Sequence, residues 1–169
     1  NGAGKSTLLK CVLGLLKGSG SVRFFGETLN RRTRARVGVV FQNPEDQLFM
    51  PRVLDDLTLP LVNRGESRAE AARRARAALE RVGLGSVAER PANQLSLGER
   101  KRAAIAAALV TSPEVLLLDE PTAELDRRAV RELTALIQGL AVARVIASHD
   151  LNFLKSVADR ALVLSGGRI

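Results

Sequence analysis

Four residues of the opening run Asn1-Gly2-Ala3-Gly4-Lys5-Ser6-Thr7 have the types and spacing for phosphate chemistry. The run is the second half of the pattern G-x-x-x-x-G-K-[ST], the phosphate-binding loop. Gly2 and Gly4 let the backbone turn its N–H groups inward as a nest for phosphate oxygens. Lys5 adds a point charge for β- and γ-phosphates, and Ser6 offers a hydroxyl to Mg²⁺. A helix starting here aims its positive dipole end at the same oxygens. A second group is Asp119-Glu120, which follows the apolar run Val115-Leu116-Leu117-Leu118. Two carboxylates at the carboxyl end of a strand lie where open α/β sheets bind ligands. Asp119 is placed to hold Mg²⁺, directly or through water, and Glu120 to polarise a water attacking a γ-phosphate. In a third group, Leu95-Ser96-Leu97-Gly98-Glu99, a Ser and a Gly at a helix start make a second anion site from a hydroxyl, N–H groups and the helix dipole. One chain with a phosphate loop, an acidic strand end and a second phosphate-facing helix start suggests two half-sites.

The elements that must position these groups follow from periodicity. Residues 8–16 read as an apolar helix ended by Gly18-Ser19-Gly20, and 21–25 as a short strand closing at Gly26. The Val-rich run 37–41 reads as a buried strand that delivers Gln42. Residues 54–62 are mostly apolar. Ser67 opens an Ala/Arg-rich helix with Glu70 three residues on, a capping box. Ala71, Ala75, Leu79 and Val82 recur at helical spacing along it, and Gly83 is its stop. Helices over 98–110, 129–140 and 151–157 then alternate with strands over 115–118, 144–147 and 161–164. This alternation predicts a parallel sheet covered on both faces, with residues 50–95 as a helical insert between core segments 1–49 and 96–169.

Composition narrows the class. Of 169 residues, 46% are hydrophobic and 26% charged, a globular balance that excludes a disordered tail or a collagenous repeat. The single Cys11 cannot form an internal bridge and reads as a small core residue. No apolar run approaches the roughly 18–20 residues of a membrane span, so the chain itself is expected to be soluble. The net charge of +8 raises the question of nucleic acid. Its basic residues are split between 31–36 and 64–81, and Trp and Tyr are absent, which leaves few stacking platforms. No nucleic-acid partner is expected, and the surplus suits an anionic ligand or a membrane-apposed surface.

The order of these motifs resembles the nucleotide-binding subunit of ATP-binding-cassette (ABC) transporters over essentially the whole chain. The resemblance implies a P-loop NTPase fold, the RecA-like core of an ABC ATPase, with a helical subdomain inserted between Q-loop and signature motif. It implies ATP and Mg²⁺ as cofactors, bound by Asn1, Gly2, Ala3, Gly4, Lys5, Ser6, Thr7 and Gln42, with Ser6, Gln42 and Asp119 on the metal. Gln42 matches the Q-loop glutamine that senses Mg²⁺ and couples to the membrane subunit. Leu95, Ser96, Leu97, Gly98 and Glu99 match the signature motif that completes the partner's site. Asp126 matches the D-loop aspartate at the dimer interface, and His149 the switch histidine on the γ-phosphate. Glu120 and His149 are the implied catalytic pair. The usual signature is Leu-Ser-Gly-Gly-Gln, so Leu97 adds bulk and Glu99 replaces an amide; the D-loop likewise shows Ala123-Glu124 where Ser-Ala or Ser-Gly is common.

Within that family, the segment Phe41-Gln42-Asn43-Pro44-Glu45-Asp46-Gln47-Leu48-Phe49 resembles energy-coupling-factor importers, including the cobalt/nickel branch. This implies an importer ATPase that hydrolyses ATP in a homo- or heterodimer with a second ABC ATPase subunit. Its transmembrane coupling subunit would hold it at the cytoplasmic face of the cell membrane. Two other readings stay open, the ATPase of another ABC transporter and a soluble ABC ATPase of translation or DNA maintenance, while intact Lys5, Asp119, Glu120 and His149 argue against a non-catalytic regulatory cassette. The opening Gly of the phosphate loop and the strand that carries it would precede Asn1. The chain is therefore expected to be a piece of a longer protein, truncated at both ends, and the first P-loop strand is expected to be missing.

Overall fold

The structure is a computed structural model that describes residues 3–168. Its elements run α1 (Lys5–Val12), β1 (Arg23–Phe24), β2 (Glu27–Thr28), α2 (Arg31–Arg34), β3 (Val37–Val40), α3 (Val53–Val62) and α4 (Arg68–Arg81). They continue through α5 (Leu97–Leu109), β4 (Val115–Asp119), α6 (Arg127–Gln138), β5 (Ala143–Ala147) and α7 (Leu151–Val157). Strands β3, β4 and β5 form a parallel three-stranded sheet in that order. The register sets Val40 beside Leu118 and Asp119 beside Ala147, so three strands end on one carboxyl edge.

Two apolar clusters hold the chain together. In the first, Val40, Leu116 and Leu118 of the sheet meet Ile105, Leu133 and Phe153 of α5, α6 and α7. Leu117 alternates to the opposite face, where α1 lies against β4 and β5 and buries Leu9. The second cluster joins α3 and α4 through Leu57, Leu61, Ala75 and Leu79, and reaches α5 at Ala103 and Ala106. Helix α5 thus serves both. Ala104 and Ile105 face the sheet, while Ala103 and Ala106 face the helical pair. From Ala103 onward α5 is apolar on every side, as burial between two clusters requires, and its small alanines let both neighbours approach closely.

Several expectations need correction. Helix α1 stops at Val12, short of the predicted 16, because Gly14 takes φ 68. The N–H of Leu15 then donates to the Lys10 carbonyl and that of Gly14 to the Cys11 carbonyl, both at 2.9 Å. This Schellman closure leaves Leu15 and Leu16 exposed and Cys11 half-buried. The strand predicted over 21–25 shrinks to two residues and gains a partner, turning through Phe25 and Gly26 at φ 55 and 80 as a two-residue hairpin loop does. Ser67 caps α4 by accepting the Glu70 N–H, but the Glu70 carboxylate pairs with Arg73, so only half the capping box forms. Helix α6 starts at Arg127, before the expected 129, because Asp126 caps it.

Residues 161–164 form no strand, and Leu162 and Val163 are exposed. An apolar run supplies the side chains for a buried strand, but a strand also needs a partner's N–H and C=O ladder. Among the described residues, β5 pairs only with β4 and no strand precedes α1. Val145 of β5 is correspondingly half-exposed. Among those residues no helix is long and apolar enough to cross a membrane.

Candidate functional site

The carboxyl edge of the sheet collects its side chains from sequence-distant loops. Gln42 follows β3 by two residues, Asp119 ends β4, and His149 follows β5 by two. The Glu120 N–H donates to the Ala147 carbonyl at 2.8 Å, which carries the ladder one residue past β4. Glu120 itself turns back at φ 45, a left-handed conformation that L-residues with a Cβ adopt reluctantly. Its carboxylate is thereby aimed at α1. Gly4, at φ 94, forms the N-cap of that helix where a Cβ would be strained. Lys5 and Ser6 follow in its first turn.

The resulting contacts are specific. Ser6 Oγ donates to Asp119 Oδ1 at 3.0 Å. Lys5 Nζ lies 3.3 Å from Glu120 Oε1. On its other oxygen, Glu120 Oε2 accepts from the His149 backbone N–H at 3.3 Å and stands 2.9 Å from His149 Nδ1. An ionised carboxylate only accepts, so Nδ1 carries the proton in this pair. Burial pushes the Glu120 carboxyl up, but hydrogen bonds from His149 and Lys5 outweigh it and hold the group below its ordinary value. Glu120 is therefore charged at neutral pH.

These groups line a cavity of about 640 Å³. Of the residues expected from the sequence, Ala3, Gly4, Lys5, Ser6, Thr7, Gln42, Glu120 and His149 border it, and Asp119 reaches it through Ser6. Asn1 and Gly2 lie outside the described residues. Ser6 Oγ, Asp119 and the Gln42 amide offer a set of hard oxygen donors. Mg²⁺ typically takes one or two carboxylates and completes its shell with water and substrate phosphate, so this set fits that ion. Among the described residues no cluster of three His, Cys, Asp or Glu could hold a metal by protein ligands alone.

The remaining expected residues stand apart from the cavity. Ser96 caps α5: its hydroxyl accepts the Glu99 N–H at 3.3 Å, and Glu99 Oε2 accepts the Ser96 N–H at 2.7 Å and hydroxyl at 2.8 Å. The backbone bond from Ser96, then that from its hydroxyl, keeps the Glu99 carboxyl below its usual range. Asp126 is exposed and caps α6, accepting the Arg128 and Ala129 N–H groups at 2.8 Å each. Leu95 is buried in the helical cluster. At Gly98, an added Cβ would stand 3.1 Å from Ala129 Cβ, so α5 and α6 start in close contact. Within one chain, none of the residues 95–99 and Asp126 borders the cavity that Lys5 and Glu120 line.

Sequence reasoning missed seven contributors. Thr122, Ala123, Glu124 and Asp150 also border the cavity. Gln47 hooks the end of β3, accepting the Phe41 N–H and donating to the Val39 carbonyl. Asp56 accepts the Phe49 and Met50 N–H groups, both at 3.0 Å. Lys101 is buried behind Glu120. Its signal was present in the helical period, because positions 101, 104, 105 and 108 share the sheet-facing side of α5.

Comparison with known proteins adds a family context. A family model described as ABC transporter matches residues 1–123. The chain is 42% identical to the energy-coupling factor transporter ATP-binding protein EcfA of Carboxydothermus hydrogenoformans, with 100% of this chain and 66% of that protein aligned. It is 43% identical to the nickel import ATP-binding protein NikO of Rhodobacter capsulatus, over 100% of this chain and 73% of the relative. Among solved structures, cbiO1 of Clostridium perfringens, part of the ABC transporter complex cbiONQ, superposes with a TM-score of 0.87 at 37% identity. The match covers 99% of this chain and 71% of that one. The ATP-binding cassette MJ0796, a dimer bound to ADP and Pi in a post-hydrolysis state, superposes at 0.85 with 29% identity, over 98% of this chain and 78% of that one.

Proposed function

This chain is an ATP-hydrolysing domain of the ABC transporter family, and we propose that it powers an importer of the energy-coupling-factor type. The observation that carries the hydrolytic reading is the grip on Glu120, whose two carboxylate oxygens are held by Lys5 on one side and His149 on the other. The importer reading draws support from the similarity to EcfA and NikO. It also draws support from the segment 41–49, which ends in the exposed Phe49. The cargo class would be a transition-metal ion or a vitamin, recognised by membrane components outside this chain.

In the proposed mechanism, the first-turn N–H groups of α1 and the Lys5 ammonium bind the β- and γ-phosphates of ATP. The incoming phosphate competes with Glu120 for Lys5 and frees one carboxylate oxygen. Ser6, Asp119 and Gln42 would hold Mg²⁺, which when bound offsets phosphate charge. Glu120, already ionised, orients a water and accepts its proton as the water oxygen attacks the γ-phosphorus and the bond to the β–γ bridging oxygen breaks. His149 fixes the carboxylate and faces the γ-phosphate. A second ABC subunit contributes its own Ser96-like helix start from the far side, which closes a sandwich dimer. Asp126 would lie at that interface. Opening after hydrolysis transmits the stroke through Gln42 and the α3–α4 unit to the transmembrane subunit at the cytoplasmic face.

The test is the full-length Glu120→Gln variant. It should bind ATP with wild-type affinity and lose turnover; wild-type hydrolysis would remove Glu120 from the base role. Co-purification with a multi-span membrane protein and ATP-dependent uptake into vesicles would test the importer reading. A full-length protein that hydrolyses ATP but associates with no membrane component would overturn it.

A further inference from the structure

Lys101 is the one buried cation among the described residues, at 2% exposure. It does not border the nucleotide cavity. Its ammonium donates to two backbone carbonyls from different loops, that of Gln42 at 2.7 Å and that of Glu120 at 3.3 Å. It forms no salt bridge with any described carboxylate. Burial lowers the affinity of Lys101 for its proton, partly opposed by Glu124, Glu120 and Asp119 nearby. Burying an ammonium is costly, and an apolar side chain would fill the same space between α5 and the sheet. The arrangement therefore has a consequence beyond packing: it ties three segments to one atom.

Those segments are the three that the proposed cycle must coordinate. Lys101 sits five residues into the helix capped by Ser96, which makes it a rigid extension of the signature segment. Glu120 has its N–H held by Ala147 and its carbonyl by Lys101, so its left-handed backbone is clamped on both sides. Gln42 is held through its carbonyl, which leaves its amide free to face the cavity. We propose that Lys101 is a positioning residue that couples the signature helix to the Glu120 turn and the Gln42 loop. When the Ser96 end of α5 moves on dimer closure, the ammonium carries that displacement to the hydrolytic carboxylate. The proposal rests on the reading of Glu120 as the hydrolytic carboxylate.

The experiment compares Lys101→Met, Lys101→Gln and Lys101→Arg with wild type in the full-length protein, measuring kcat, KM for ATP and ATP affinity in the Glu120→Gln background. Lys101→Met keeps the stem, leaves the Gln42 carbonyl without its donor and leaves the Glu120 carbonyl with the Ala123 N–H alone. It should lower kcat about ten- to a hundredfold, the scale of leaving a buried acceptor unpaired, while KM and ATP affinity stay within about threefold, the scale of a weak contact. Lys101→Gln and Lys101→Arg restore N–H donors and should recover part of kcat. Adding Lys101→Met to Glu120→Gln should cost far less than it does in the wild type, because both changes act on one group. Wild-type kcat in Lys101→Met would overturn the proposal. So would an equal loss in all three variants that tracks lost ATP affinity or lost folded protein. If Lys101→Met does not fold, the Gln and Arg variants decide by the same split between kcat and KM. Wild-type hydrolysis by Glu120→Gln would instead overturn the reading of Glu120, and the proposal with it.

Discussion

The carboxyl edge of the sheet and the α3–α4 pair carry charge in opposite ways. At the sheet edge Asp119, Glu120 and Lys101 are all buried, and each has a named partner. In α3 and α4 the interior is Leu, Val and Ala, and the charges form pairs on the outside: Arg52 with Asp55, Arg73 with Glu70, Arg76 with Glu89. Buried charge is expensive, so its concentration at one edge marks where chemistry is done. Surface pairs are screened and cost little to rearrange. The helical pair breaks this pattern once, at Asp56, whose carboxylate is buried and leaves Oδ2 without a partner.

The sharpest way to separate the regions is to disable each in turn. Glu120→Gln should lower kcat by roughly 10²–10⁴-fold, the range for general-base help, and cost far less stability than a core truncation. Leu57→Ala, in the fully buried centre of α3, should do the reverse. It should cost about 2–5 kcal/mol of stability by denaturant titration with kcat per folded molecule unchanged. If Leu57→Ala lowered kcat of the folded fraction as much as Glu120→Gln, the regions would not be separable.

The two serine caps refine the comparison. Ser67 caps α4 and Ser96 caps α5, both exposed and both accepting an N–H at 3.3 Å. Either Ser→Ala change should cost about 1 kcal/mol as a lost cap. Only Ser96→Ala should also weaken the ATP-dependent dimer, read by sedimentation with the Glu120→Gln protein. Equal dimerisation by both would sink the proposed role of Ser96 in trans.

The two regions also titrate with opposite signs. Glu120 has its folded pKa depressed. Its contribution to stability is therefore present above the unfolded value of about 4.3 and is lost as pH falls through the folded pKa. Burial raises Asp56, against hydrogen bonds from Met50 and Phe49 and with Asp55 adding to the rise. Its contribution is present below the unfolded value of about 3.9 and is lost as pH rises through the folded pKa. Denaturation midpoints followed against pH should lose part of their acid-side fall in Glu120→Gln and part of their loss on rising pH in Asp56→Asn. Parallel profiles in both variants would contradict this assignment. The smallest effect is expected at the surface: Arg76→Ala, which removes one pair with Glu89, should leave the Tm unchanged within error.

Most of the site was legible because its chemistry is local in sequence. Gly4-Lys5-Ser6, Asp119-Glu120 and Ser96-x-Gly98 each carry their meaning within a few residues. The caps at Ser67 and Ser96 and the stop at Gly83 could be read from residue type for the same reason. The early end of α1 was harder, because Gly14 competes with an apolar run that continues to Leu16. The segment 161–164 misled for a different reason, since an apolar run predicts burial and pairing depends on what lies beside it.

What the sequence determined by itself was which residues can do chemistry and the order of elements that carry them, because residue type, glycine placement and apolar period act over a few neighbours. Tertiary structure alone decided that Lys5 and His149 meet on opposite oxygens of one carboxylate, and that Lys101 spans Gln42 and Glu120. Those partners lie far apart along the chain, and only the parallel register of β3, β4 and β5 brings their loops to a single edge.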